Sequence, residues 1–357
     1  MRVVLAPDKF AGTLTAVEAT EAIAEGWSRR APHDELVKVP MSDGGPGFVE
    51  VLHAVLGGEL LAVTARGAYG ETLPATILRV HDTAYVESAQ VIGLHLTDRR
   101  DPMRATTVGV GDLVVEATRS GATTVVVGLG GSATNDGGAG LLAALGATAD
   151  VPLDQGPAGL DGLTRITVPE HPGPRLVAAT DVDHMLLGIV GATKTFGPQK
   201  GLGEEELLVV DGRLQALAEL TDRKLAAEKG AGAAGGLGFA LMLLGAERTP
   251  GVELVAEAVR LGERCRGADL VVTGEGGFDF SSRSGKVPFG VAEATIGALA
   301  PCIVLAGRVQ IGARETRAIG VESAYSVVDL VGEERALRHP REALADLAER
   351  VARTWSR

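Results

Sequence analysis

Six carboxylates and four lysines of this chain stand in or beside loops marked by glycine or proline. Asp8, Asp43, Asp181, Asp183, Glu275 and Asp279 follow strand-like apolar runs, and Lys9, Lys194, Lys200 and Lys286 occupy the punctuated turns. In an α/β sheet, ligands bind outside the carboxyl ends of strands. Taken singly, such a carboxylate is commonly an N-cap or turn residue. Taken together, the acids repel one another unless lysines or a divalent cation offset them. That mixture suits phosphoryl transfer, in which cations clamp phosphates, carboxylates hold Mg2+ and one base orients the attacking hydroxyl. Lys38, Lys224 and Lys229 need no role beyond solubility.

The stretch Gly128–Gly138 leads from an apolar run, Thr123 to Val127, into a helix-like run, Ala139 to Leu145. A strand that empties through glycines into a helix presents backbone N–H groups to a phosphate. Gly128, Gly130 and Ala133 also fit the dinucleotide spacing G-x-G-x-x-A. That reading expects the helix to begin inside the motif, yet Asn135-Asp136-Gly137-Gly138 prolongs the loop, and no acidic strand end follows at the ribose distance. The alternative is a phosphate or substrate cradle with Ser132 and Thr134 as donors and Asp136 near a metal or a proton. Plain close packing of helix on sheet is the third reading. The second glycine run, Thr273 to Asp279 followed by Gly285-Lys286, is not a P-loop. Phe280 stands where that motif needs glycine, and Val287 where it needs Ser or Thr. Lys286 still falls at a predicted helix start, where its charge and the open N–H groups favour phosphate.

The elements that position these residues alternate. Residues 2–6 predict a buried strand, Thr15-Ala16-Val17-Glu18 a capping box with Leu14 stapling onto Ala19, and Trp27 a core residue of the helix that follows. Residues 36–40 predict a second strand, and Phe48 to Leu56 a second helix. Short alternating strands at Leu60–Thr64, Ala75–Val80 and Ala84–Glu87 suggest antiparallel pairing. A helix is expected at Thr107–Ser120, a strand at Leu176–Ala179, a loop at Thr193–Gly203 and helices at Glu204–Leu225 and Leu237–Leu244. Strands at Asp269–Thr273, Cys302–Ala306 and Ala324–Val328 and a helix at Pro340–Trp355 close the chain. This grammar implies an α/β domain built from both chain ends (residues 1–60 and 268–357) with a second α/β domain of mixed sheet, residues 61–267, inserted.

Composition agrees. Hydrophobic residues make up 45% of the 357, but aromatics only 3%, so the core is aliphatic, as under parallel strands. A net charge of −12 with no basic tract argues against nucleic acid. Cys265 and Cys302 give neither a disulfide framework nor zinc spacing. No apolar run reaches membrane-spanning length, and the start of the chain does not read as a signal peptide. The expectation is a cytoplasmic protein with small-molecule partners and no nucleic-acid or membrane partner; a homodimer is left open.

Several blocks have a further property. Ala6-Pro7-Asp8-x-Phe10-x-Gly12-x-Leu14, Pro40-Met41-x-Asp43-Gly44-Gly45, Gly130 to Gly138, Asp181-Val182-Asp183, Phe196 to Gly201, Gly230 to Gly238 and Thr273 to Gly276 resemble, in order and over about residues 1–350, the bacterial type-1 glycerate kinase family. The resemblance implies ATP-dependent phosphorylation of D-glycerate, usually to 2-phosphoglycerate, with ATP and Mg2+. It also implies a flavodoxin-like doubly wound domain, an inserted α/β domain and catalysis in the cleft between them. Some positions depart from the pattern. Ala11 stands where the family often has Lys, Pro46 and Phe48 where it often has Glu and Thr, Gly277 where Arg is common, and Ser281-Ser282 in place of Gln-Thr. Lys9 and Arg283 are the nearest replacement cations.

Motif position and charge then assign roles as expectations. Asp181 or Asp136 orients the attacking hydroxyl, with Lys9 as the third catalytic residue. Asp8, Asp43, Gly131, Ser132, Thr134 and Asn135 surround glycerate. Lys200, Gly274, Glu275 and Lys286 hold nucleotide phosphates, and Asp183 and Asp279 bind metal. Three other readings compete: a kinase for another hydroxy acid, a nicotinamide-dependent dehydrogenase, and an inactive ligand-binding paralogue.

Overall fold

The structure is a computed structural model that describes residues 1–171, 173–280 and 286–356. Ser281, Ser282, Arg283 and Gly285, named above, lie outside the described residues. In chain order the strands are β1 (Arg2–Leu5), β2 (Glu35–Lys38), β3 (Glu59–Arg66), β4 (Thr72–Val80), β5 (Thr83–Glu87), β6 (Thr124–Gly128), β7 (Thr148–Ala149), β8 (Ile166–Thr167), β9 (Arg175–Ala179), β10 (Glu247–Thr249), β11 (Leu270–Phe278), β12 (Cys302–Val309) and β13 (Ser323–Ser326). The chain divides into two compact units. The first comprises Met1–Asp43, Glu50–Gly57 and Val252–Arg357, and the second Gly44–Val49 and Gly58–Gly251.

The first unit carries a sheet ordered β13-β12-β11-β1-β2, parallel throughout. Counted within the unit this is the order 2-1-3-4-5 of the flavodoxin-like fold. Its first helix, Ala16–Arg30, starts at the expected capping box: Thr15 accepts from the Glu18 N–H at 3.2 Å and the Glu18 carboxylate accepts from the Thr15 N–H at 2.9 Å. Trp27 is fully buried in the core and donates its indole N–H to Asp34 at 2.9 Å. The helices Ala16–Arg30 and Pro340–Trp355 pack together on one face, over Val3, Leu5, Leu270 and Ile303. Gly26 permits this closeness: a Cβ there would stand 1.9 Å from the Ala345 carbonyl oxygen.

The second unit carries a mixed sheet ordered β10-β9-β6-β5-β4-β3. The expected antiparallel pairing holds for β3–β4 and β4–β5, and β5, β6, β9 and β10 are parallel. Its core is aliphatic, centred on Ile77, Val86, Leu113, Val125, Val127 and Leu241.

Two elements differ from the sequence reading. The segment Thr193–Gly203, expected as a loop, is largely a helix, Ala192–Lys200, with Pro198 inside it. Thr193, Gly197 and Lys200 are buried on one face at helical spacing. Pro198 falls in the last turn, and Gly201 closes the helix in the left-handed region. Second, β11 does not stop at Thr273 but continues through the glycine run to Phe278. Pairing with β12, from Val271↔Cys302 to Phe278↔Val309, holds the run extended. The paired strand β12 leaves no room for a side chain at Gly274, whose Cβ would lie 2.1 Å from the carbonyl oxygen of its register partner Leu305.

Candidate active site

In the first unit the chain steps outward from β1 to β2 and then crosses back to β11, so β1 and β11 flank the point where strand order reverses. That is where doubly wound sheets bind ligands. The Asp8 N–H donates to the Gly274 carbonyl at 2.8 Å, fixing the turn after β1 against β11. The Asp8 carboxylate accepts from the Lys9 N–H at 2.7 Å. Lys9 Nζ lies 3.1 Å from Asp43 Oδ1 and 3.5 Å from Asp8 Oδ1. Asp43 is brought there by the segment after β2, pinned by the Met41 N–H on the Pro7 carbonyl at 2.9 Å. Glu275 is buried on β11. Lys286 is the N-cap of the helix Val287–Ala298, with Nζ 3.9 Å from Glu275 and 4.0 Å from Asp279.

These groups line a cavity of about 480 Å3 with Phe10, Val327 and Leu344 as apolar wall. Burial, together with the nearby Asp43 and Glu275, pushes the Asp8 carboxyl up to about 7 against the opposing pull of Lys9. Burial opposes the Lys9 charge, but Asp43 and Asp8 outweigh it and hold its pKa above the usual lysine value. A carboxyl that titrates near neutrality beside a fixed ammonium is suited to take a proton from a hydroxyl. Ala11 and Gly277, two of the departures, also line this cavity.

In the second unit the carboxyl ends of β6 and β9 lie side by side, with Gly128 paired to Ala179. They bring Gly130–Thr134 and Asp181 to one end of the sheet. The loop after β6 is wired internally. The Asp136 carboxylate, fully buried, accepts from the Thr107 N–H (2.8 Å) and hydroxyl (2.9 Å) and from the N–H groups of Gly138 (3.0 Å) and Gly140 (3.2 Å). Burial pushes this carboxyl up, and those four donors oppose the shift. The Gly138 and Gly140 N–H groups at the start of the helix Ala139–Ala144 are therefore capped by a side chain of the preceding loop.

Lys200 is buried too, where a phosphate clamp was expected. Its Nζ donates to the Thr134 carbonyl at 2.6 Å and to Ser132 Oγ at 3.2 Å, and burial pushes its pKa down to about 7 although Asp136 pulls it upward. Asn135 donates to Thr193 Oγ1 at 2.9 Å, and its Oδ1 is buried with no partner. The Gly230–Gly238 motif closes the cluster: Thr134 Oγ1 donates to the Ala234 carbonyl at 3.4 Å and the Gly137 N–H to the Gly235 carbonyl at 3.0 Å. Of the loop residues, Gly131 is exposed, whereas Ser132, Thr134, Asn135 and Asp136 are buried. Asp181 is half-buried, and Asp183 is exposed and ion-paired with Lys229 at 3.3 Å and with Arg248.

The family model of the glycerate kinase family matches residues 3–356. The chain belongs to the glycerate kinase family. It is 38% identical to the glycerate 2-kinase of Escherichia coli over 93% of this chain and 92% of that one. It is 36% identical to the glycerate kinase of Bacillus subtilis, over 99% and 97%. A crystal structure from Salmonella typhimurium LT2, provisionally named glycerate kinase 2, superposes with a TM-score of 0.82 at 34% identity, covering 99% and 98% of the two chains.

As a glycerate kinase family member the chain is a kinase, and its departures from the family pattern can now be placed. Phe48 is fully buried and packs edge-on to Tyr85, with ring centroids 6.1 Å apart, so it serves packing. Pro46 lies against the loop after β6, where a Cβ on Gly131 would stand 3.0 Å from Pro46 Cγ. Two residues were missed in the sequence. Thr107, whose N–H and hydroxyl bind Asp136, carries no sequence signal. Arg308, which lines the first-unit cavity, had one: it follows Gly307 where the predicted strand Cys302–Ala306 ends.

Proposed function

We propose that the protein transfers the γ-phosphoryl group of ATP to D-glycerate, giving 2-phosphoglycerate, in the cytoplasm. The observation that carries this reading is the first-unit cavity, where Asp8, Lys9, Asp43, Glu275 and Lys286 converge at the sheet's switch point in a chain of this family. Lys286 holds nucleotide phosphates by its charge; of the first turn of the helix Val287–Ala298 only the Val287 N–H is open to join it, because Pro288 has none and the Phe289 and Gly290 N–H groups donate to the Lys286 carbonyl. Lys9, its charge secured by Asp43 and Asp8, holds an anion of either substrate. Asp8 takes the proton of the attacking hydroxyl. Asp181, at the carboxyl end of β9, is the second candidate for that step, and comparing Asp8→Asn with Asp181→Asn decides between them.

Mg2+ fits the chemistry of the donors at one point, where Glu275 and Asp279 offer hard oxygens beside Lys286. Mg2+ takes few protein ligands and shares its shell with phosphates and water; bound there it would neutralise phosphate charge. In the second unit, Asp136 and Lys200 hold the Gly130–Thr134 loop in shape, and Gly131 is the part of it a ligand reaches. Asp183, paired to Lys229 and Arg248, orders its own segment.

A coupled ADP-release assay with a panel of hydroxy acids, with the product resolved by phosphorus NMR, tests the reading. Preferential turnover of D-glycerate to the 2-phosphate is expected. Faster turnover of another hydroxy acid would replace the substrate, a reading that the uncharged Ala11 and Gly277 in the cavity wall favour. Absence of ADP release with every acid would sink the kinase reading.

A further inference from the structure

Arg308 is a third cation on the wall of the first-unit cavity, beside Lys9 and Lys286. Its backbone pairs with Gly277 across the β11–β12 register. A Cβ on Gly277 would meet nothing within 4 Å, so the cavity is open where that side chain would stand. The guanidinium ion-pairs with Glu333, which also lines the cavity. Both partners are substantially exposed, 46% and 63%. An exposed pair of this kind is worth little by itself, so an arriving anion can take the arginine from Glu333 at small cost. A guanidinium matches phosphate oxygens with two parallel N–H donors. The apolar wall of Phe10, Val327, Leu337 and Leu344 gives the same cavity room for a nucleobase.

We propose that Arg308 is a nucleotide-binding residue that pairs with an ATP phosphate over the opening at Gly277, and that Glu333 holds it until the nucleotide arrives. This rests on the kinase reading above. Its primary readout is therefore direct titration with a non-hydrolysable ATP analogue, which requires no turnover. Arg308→Ala is expected to weaken analogue binding about tenfold, the scale of one charge-assisted hydrogen bond, and Arg308→Lys to weaken it less. Glu333→Gln is expected to tighten binding. Gly277→Arg in the Arg308→Ala background is expected to recover affinity, because the register brings position 277 beside the lost cation. In turnover, Arg308→Ala is expected to raise KM for ATP and leave KM for D-glycerate unchanged. Analogue affinity within twofold of wild type in Arg308→Ala overturns the proposal. So does a loss confined to D-glycerate, which would make the partner a carboxylate. A wild type that binds the analogue but forms no ADP defeats the kinase reading and leaves the Arg308 titration interpretable.

Discussion

Two loops of this protein look alike in sequence and are built for opposite ends. Each leads from a β-strand through small residues and acids towards a helix. After β1, Asp8 and Lys9 face a cavity with Asp43 and Glu275, and burial leaves the Asp8 carboxyl poised near 7. After β6, Asp136 spends its oxygens on four donors of its own unit, and Lys200 spends its donors on Ser132 and Thr134. The first loop pairs its polar groups with one another on the wall of a cavity, and the second ties them into its own backbone and neighbours. Glycines with acids thus announce a special backbone, and only the partners of each polar atom say whether chemistry follows.

The contrast can be broken at its strongest point first. Asp8→Asn should lower kcat by about 10²–10⁴-fold, the usual worth of a positioned proton acceptor, with thermal unfolding near wild type. A variant that melts early but turns over normally would erase the contrast. Asp136→Asn should do the reverse, costing about 1–3 kcal/mol of stability in the second unit, seen as faster hydrogen exchange at Gly138 and Gly140 with KM for ATP unchanged. Lys286→Ala should raise KM for ATP roughly tenfold, as expected for one charge-assisted contact; unchanged nucleotide affinity would remove the phosphate role.

The contrast also predicts a pH dependence of stability. The unfolded chain protonates Lys200 near its ordinary value of 10.5, whereas the folded unit does so only near 7. Between those values the unfolded state binds the extra proton, so stability rises with pH across the window. Below about 7 both states carry it and the full penalty of a buried charge remains. Lys200→Met should flatten that rise, as hydrogen exchange of the second unit measured from pH 7 to 10 would show.

Much of this was legible beforehand, because the signals were local. The Thr15–Glu18 capping box and the alternation of β3, β4 and β5 depend on near neighbours in the chain. The helix Ala192–Lys200 was hidden by Pro198 and its glycines, since what favours it is burial of Thr193, Gly197 and Lys200 against the rest of the unit. The extension of β11 was hidden because β12, not the glycine run itself, holds it straight. In the site, the sequence reading places Asp8 and Asp43 around glycerate and gives the proton step to Asp181 or Asp136; the burial of Asp8 beside Lys9 and Asp43, which makes it a candidate for that step, has no local sequence signal. Asp136 and Lys200 were not readable in the same way, because a carboxylate filled by Thr107, twenty-nine positions away, has the same letter as one open to substrate.

The central place of β1 sets an order of events during synthesis. Its neighbour β2 emerges within about forty residues, but its other neighbour, β11, pairs Val3 with Leu270. The second unit, apart from Gly44–Val49, is a continuous run ending at Gly251 and has all its strands before β11 exists. On the ribosome, where domains fold as they are made, that unit can close while β1 still shows an unpaired edge. Such an edge is a template for pairing with other chains. The nascent protein therefore spends most of its translation with one edge of its central strand unpaired, and chaperone demand should fall on the first five residues rather than on the large middle of the chain.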